Sequence, residues 1–292
     1  MRDLLLLVPL TALVACSGPR PTASSTPAAD PTRELALMGS DAVLWQNASA
    51  EAYWIYEQAY EQAATKLMWN IVELAATYGE GQPRKPMAVI VDIDETVLDN
   101  SPYQVEAIEH GRTFDPQDWR AWTDKAIARP SPGALEFLLH AHQASCEVFY
   151  ITNRETAERA STLKNLIAHG FPNADEAHLL LMDGTSDKTE RRARVRATHD
   201  VVLLAGDQLR DFDERFKDRS VNSGKATVDA LREVRDRDIL LDDHSYFYLS
   251  HAVLNDREMA AFADAYRKAV VLSPEALNGD FFVPVGSGNN GG

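Results

Sequence analysis

A chain of 292 residues, 45% of them hydrophobic, carries enough apolar side chains for a large core, which excludes an intrinsically disordered protein and sets the scale at one domain or one domain with a small annex. The formal charge of −15 at pH 7 argues against nucleic acid as a partner, because an acidic surface repels phosphate backbones. A small anionic substrate would then need local help, such as a metal ion.

The first sixteen residues, MRDLLLLVPLTALVAC, join Arg2 to an apolar run from Leu4 to Val14. That run is shorter than the roughly 20 apolar residues a spanning helix needs, and its layout is that of a secretory signal. Leu13-Val14-Ala15-Cys16 resembles the bacterial lipobox, so Cys16 is the expected lipidation site and the cell envelope the expected location. The other cysteine is Cys146, which leaves a lipidated chain no internal disulfide. Residues 17–33, rich in Pro, Ser, Thr and Ala without periodicity, read as a flexible tether.

From Asp41 to Tyr78 the pattern is helical. Tyr53, Tyr56, Tyr60, Ala63, Leu67, Ile71, Leu74 and Tyr78 recur at helical spacing and predict one long helix with an apolar face. Ser49 is its expected N-cap, with Gly79 and Gly81 at its end.

Met87 to Val91 is an uncharged, β-branched run that reads as a buried strand of a parallel sheet. Asp92, Asp94 and Thr96 follow where it stops, at the strand end where ligands gather in an open α/β sheet. About fifty residues then intervene before the next strand. Asp115-Pro116 starts a helix that places Trp119 and Trp122 on one face, and Ser131-Pro132 starts another through Leu139. The two tryptophans suit either stacking on a substrate ring or filling a core between helices.

Regular alternation follows: strand Cys146 to Ile151, helix Glu155 to His169, strand His178 to Met182, helix Ser186 to Thr198, strand Val201 to Ala205. Strands alternating with helices imply a parallel sheet with crossovers. Ile239 to Leu241 suggests an additional edge strand, and GSGNNGG at 286–292 reads as a disordered tail. Polar groups sit at each strand end: Thr152, Asn153 and Arg154 after the second, Lys188 after the third, Asp207 and Asp211 after the fourth.

Asp92, Asp94 and Asp207 are hard oxygen donors, and a few carboxylates with room for water and a phosphate suit Mg²⁺. An EF-hand is the competing metal reading, since Asp92, Asp94 and Thr96 fall at its first, third and fifth places. Val97 and Tyr103 stand where that loop needs Gly and Glu, so the reading fails. With a cation offsetting charge, one aspartate can attack phosphorus while the other serves as acid and then base. Thr152 and Lys188 suit the phosphate oxygens. Arg191, Arg192, Arg194 and Arg196 read as the solvated side of the Lys188 helix.

VDIDETVLDNSPY and VLLAGDQLRDF resemble the two signatures of the class C acid phosphatases, a family of lipoprotein 5′-nucleotidases in the haloacid dehalogenase (HAD) superfamily. LWQNASAEAYWIYEQAY is similar to that family's amino-terminal helix. The resemblance implies a HAD-like Rossmannoid α/β fold, a three-layer core with a parallel sheet, plus a small helical domain. That domain takes in residues about 41–80 and 99–130 of a phosphatase body spanning 34–285. It implies Asp92 as nucleophile and Asp94 as acid/base that also lends its carbonyl to Mg²⁺. Asp207 becomes a further ligand, Asp211 an outer partner, and Thr152, Asn153 and Lys188 the phosphate-binding positions. Tyr103, Trp119 and Trp122 are candidates for a substrate pocket, and a homodimer is implied.

The match fades past Phe212, where His244, Tyr246 and Tyr248 either line a pocket or lie in an edge strand. The expected function is an Mg²⁺-dependent phosphatase for small phosphomonoesters, foremost nucleoside 5′-monophosphates. A phosphotransferase on the same site and a non-catalytic binding or adhesion lipoprotein are the alternatives.

Overall fold

The computed structural model describes residues 30–79, 83–217 and 246–248. The signal segment with Cys16, the tether up to residue 29, the run Ile239 to Leu241, His244 and the tail at 286–292 lie outside the described residues.

Among the described residues, five strands form the main sheet: β1 (Met87–Val91), β4 (Cys146–Glu155), β5 (Leu179–Met182), β6 (Asp200–Gly206) and β7 (Tyr246–Tyr248). Their spatial order is β5-β4-β1-β6-β7, and every adjacent pair runs parallel. β1 is therefore the middle strand, flanked by β4 and β6. Its alternate residues feed two separate cores. Val89 and Val91 join Tyr60, Leu67, Phe137 and Leu166 on one face, while Ala88 and Ile90 join Phe149, Val195, Leu204 and Phe212 on the other. Burial on both faces explains why β1 shows no polar alternation, and it gives the three-layer α/β fold.

Eight helices accompany the strands among the described residues: α1 (Pro31–Met38), α2 (Ser40–Ala48), α3 (Ala50–Thr77), α4 (Ser101–Glu109), α5 (Pro116–Thr123), α6 (Ala134–Gln143), α7 (Arg159–His169) and α8 (Thr189–Thr198). The expected single helix from Asp41 is broken at Ser49, whose extended backbone (φ −89°, ψ 137°) and Oγ, accepting from the Ala52 amide at 3.0 Å, start α3 afresh. Residues 31–33, assigned to the tether, are instead the first turn of α1. Pro31 at its first position needs no amide donor there. Tyr56, Tyr60, Ala63 and Leu67 face the core as the periodicity predicts, but Tyr53 is exposed.

The inserted segment holds α4, α5 and a two-stranded antiparallel ribbon of β2 (Leu98–Asp99) and β3 (Arg129–Pro130). The Asp115 side chain caps α5 by accepting from the Gln117 and Asp118 amides. α4 is an addition to the sequence reading, opened by Pro102 in its first turn. Tyr246 and Tyr248 lie in an edge strand, β7.

Candidate active site

The turn after β1 is tightly built. The Ile93 carbonyl accepts from the amides of Thr96, Val97 and Leu98, and Glu95 takes a left-handed conformation with φ 60°. A non-glycine residue held there costs energy that its surroundings must offset. Two tyrosines of α3 do so. Tyr56 Oη donates to the Glu95 carbonyl at 2.9 Å, and Tyr60 Oη to the Thr96 carbonyl at 2.8 Å.

Asp92 and Asp94, two residues apart, are turned to different partners. The Asp92 carboxylate accepts from Lys188 Nζ, which also donates to Asp211 Oδ1 at 2.7 Å. Asp207 lies nearby: the Thr96 hydroxyl stands 3.4 Å from Asp92 Oδ2 and 3.5 Å from Asp207 Oδ1. Asp211 is fixed by the Gln208 amide at its Oδ2 and packs directly over Gly206. Asp94 instead faces Arg154, which donates to it from Nη2 at 2.7 Å and from Nε at 3.0 Å.

Burial pushes the Asp92 carboxyl well above its usual range. Lys188 opposes that rise, while Asp211, Asp207 and Asp94 add to it. Burial alone would lower the Lys188 ammonium, but Asp211 and Asp92 outweigh it and raise it, so the lysine stays charged.

Among the described residues, Asp92, Asp207 and Asp211 have carboxylate oxygens all within 4.8 Å of one another. Asp92 and Asp211 share the Lys188 ammonium, and Asp207 brings a third carboxylate. This excess of negative charge, presented as hard oxygen, fits a divalent cation. The Asp94 side chain is not part of that set.

The structure thus gathers Asp92, Asp94, Thr152, Lys188, Asp207 and Asp211 at the carboxyl ends of β1, β4 and β6 and beside α8. Thr152 is fully buried, with its Oγ1 3.3 Å from Asp94 Oδ2. Asn153 is exposed and its Oδ1 accepts from Arg191. Tyr103, Trp119 and Phe114 form a cluster of edge-on and tilted rings, centroids 5.2 to 6.5 Å apart. Trp122 is 7% exposed within the core and donates Nε1–H to Asn100, so it is buried against Asn100 rather than lining a substrate pocket.

Two arginines also differ from expectation. Arg191 and Arg192 are buried, not solvated. Arg191 donates to the Thr152 carbonyl, and Arg192 Nη1 to the Asp211 carbonyl at 2.7 Å. They brace the backbone on either side of the site. Sequence reasoning also left Arg154 without a role, although it directly follows Thr152-Asn153 at a strand end.

The chain that builds this arrangement is similar to known proteins. Residues 32–248 match the family model described as HAD superfamily, subfamily IIIB (acid phosphatase). The chain belongs to the HAD class C acid phosphatase family. The crystal structure of a class C acid phosphatase from Bacillus anthracis with tungstate bound is 30% identical, with a TM-score of 0.66 over 87% of this chain and 98% of that one. A second structure of the Bacillus anthracis class C acid phosphatase is 29% identical with the same TM-score of 0.66, over 86% of this chain and 99% of that one. Acid phosphatase 1 of Solanum lycopersicum is 30% identical over 132 residues, 42% of this chain. The chain spans about half the length, 51%, of that curated relative.

Proposed function

We propose that this class C family member is an Mg²⁺-dependent acid phosphatase of the bacterial envelope, anchored through Cys16, that hydrolyses small phosphomonoesters, nucleoside 5′-monophosphates foremost. The carrying observation is the placement of Asp92: central in the sheet, paired with a buried lysine, and flanked by a second aspartate held apart on Arg154. Two carboxylates two residues apart but differently partnered suit two different chemical jobs. The tungstate bound by the Bacillus anthracis relative, a tetrahedral oxyanion shaped like phosphate, supports a phosphate-binding reading of this chain.

In the proposed reaction an Asp92 carboxylate oxygen attacks phosphorus while the P–O bond to the ester oxygen breaks. Asp94 gives the departing oxygen its proton, then takes one from water as that water attacks the aspartyl-phosphate and releases Asp92. Lys188 and the Thr152 hydroxyl face the phosphoryl oxygens in the transition state. Asp92, Asp207 and Asp211, with the Asp94 carbonyl, would hold Mg²⁺, which supplies charge neutralisation between two anions. The phosphatase body begins near α1, with α1 to α5 as its helical annex.

The test is phosphate release from nucleoside monophosphates, sugar phosphates and phosphotyrosine, with Mg²⁺ and with EDTA. Expected are Mg²⁺-dependent turnover led by nucleotides and its loss in Asp92→Asn, which keeps the native circular dichroism. Equal rates across the panel would refute the nucleotide preference, and turnover by Asp92→Asn the mechanism.

A further inference from the structure

We infer that Arg154 and Asn100 are positioning residues for Asp94, and that the tryptophans of the inserted helix α5 hold them there, so that the insertion governs proton delivery to the leaving group. The inference rests on the proposed acid/base role of Asp94.

Three donors converge on one oxygen of that carboxylate. Asp94 Oδ1 accepts from Asn100 Nδ2 at 2.9 Å, Arg154 Nε at 3.0 Å and Arg154 Nη2 at 2.7 Å. Oδ2 has weaker company: Arg154 Nε at 3.2 Å and Thr152 Oγ1 at 3.3 Å. Oδ1 is saturated with donors and cannot carry a proton without displacing one. Oδ2 is therefore the oxygen that carries the transferable proton, and the asymmetry fixes which way it points.

Each donor residue is itself locked. Arg154 is 2% exposed, its Nη1 donates to Thr162 Oγ1 at 3.2 Å, and its amide donates to Thr152 Oγ1 at 3.1 Å. The Trp119 ring lies 5.9 Å from its guanidinium carbon, within cation–π range. Asn100 is fully buried, and the Trp122 indole N–H donates to its Oδ1 at 2.9 Å. An indole nitrogen can only donate, so the amide oxygen must face Trp122 and the amide NH₂ must face Asp94. Trp122 thus sets the polarity of Asn100. Both tryptophans on one face of α5 reach Asp94 through one intermediary each.

In the step concerned, the P–O(ester) bond breaks with its electron pair going to the ester oxygen, which takes the proton from Asp94 Oδ2 as Asp92 bonds to phosphorus. Poor leaving groups depend on that proton, whereas activated ones depart without it. The experiment compares kcat/KM for ethyl phosphate, a poor leaving group, and 4-nitrophenyl phosphate, an activated one, in wild type, Asp94→Asn, Arg154→Met, Arg154→Lys and Trp122→Phe. kcat/KM is read because it reports the first chemical step even if release of phosphate from the enzyme limits kcat.

Asp94→Asn is expected to lose about 10²- to 10⁴-fold on ethyl phosphate and far less on the nitrophenyl ester. Arg154→Met and Trp122→Phe are expected to show the same selective loss at about tenfold to hundredfold, the scale of a misplaced catalytic group. Arg154→Lys, which keeps charge but not the fork, is expected to recover only part of it. Equal losses on both esters in Arg154→Met and Trp122→Phe, beside a selective loss in Asp94→Asn, would overturn the inference alone. No selective loss in Asp94→Asn would overturn the acid/base reading and the inference with it. Should Arg154→Met not fold, Trp122→Phe, which removes the N–H donor and leaves a smaller aromatic ring in its place, decides the question.

Discussion

Gly206 closes β6 directly before Asp207, and a Cβ there would stand 2.7 Å from Asp211 Cβ and 2.6 Å from Asp211 Oδ2. Gly206→Ala therefore cannot be accommodated by a flexible tip, since the near atoms include the root of the side chain. Ordinary contact begins at 3.4 Å, so Asp211 must retreat by about 1 Å, a displacement that costs a reacting centre on the order of 10²-fold in rate. Lys188 would lose its 2.7 Å contact to Asp211, and the carboxylate cluster one of its three members. The stability cost of such overpacking is about 1–3 kcal/mol. The assay is kcat and the Mg²⁺ concentration for half-maximal rate, beside a urea melt. Gly170→Ala is the control: φ is +78° with nothing within 4 Å of the new Cβ, so it is expected to lose stability through backbone strain alone and keep its rate. A Gly206→Ala protein with wild-type kcat and Mg²⁺ dependence would refute the assignment of Asp211 to the working cluster.

Tyr60→Phe strips the Thr96 carbonyl of its buried donor; the expected cost is about 1–3 kcal/mol together with a lower kcat, read from a denaturant melt and steady-state rates. At the opposite end of the sheet, His178 hydrogen-bonds Glu147 Oε2 and Asp175 Oδ1, His199 shares the same Glu147 oxygen, and Phe149 packs against both imidazoles. Burial lowers the His178 imidazole, but Glu147 and Asp175 outweigh it and raise it. The His178 hydrogen bond lowers Glu147, and in Asp175 the same histidine overcomes the upward push of burial. The imidazole's stabilisation is complete below its ordinary value of 6.5 and lost as pH rises through the raised one. That of the carboxylates is complete above 4.5 and 3.8 and lost as pH falls through the lowered ones. Thermal melts against pH should place the greatest contribution of this cluster between 4.5 and 6.5, and His178→Gln should flatten the curve there. An unchanged curve would refute the account.

The strand-end logic was legible because β1 has no polar side chain until Asp92, and a parallel strand buried on both faces must hand its acids to its carboxyl end. Lys188 and Asp207 follow from the same rule. Arg191 and Arg192 were not legible. Their partners are the Thr152 and Asp211 carbonyls, and backbone acceptors leave no trace in a sequence, so an arginine-rich helix looks solvated on every side. Trp122 offered the same one-face signal as Trp119, and only the position of Asn100, twenty-two residues earlier in the chain, shows its indole buried against that amide rather than open to a substrate. The break at Ser49 was half legible: its capping chemistry was readable, but the periodicity of α2 runs into that of α3 and conceals the turn between them.

The site's contacts also span long stretches of chain. Lys188 meets Asp92 across 96 residues, Thr96 approaches Asp207 across 111, and Arg154 reaches Asp94 across 60. Closing loops of that size costs entropy before any contact repays it, and non-local parallel pairing is slow to form. No short segment of this protein holds both partners of any of these three contacts, so no early helix assembles the catalytic arrangement and a single strand pair brings together only part of it. Recovered turnover in a refolding chain therefore counts molecules that have finished pairing β4, β1 and β6, and helical signal regained sooner counts something else.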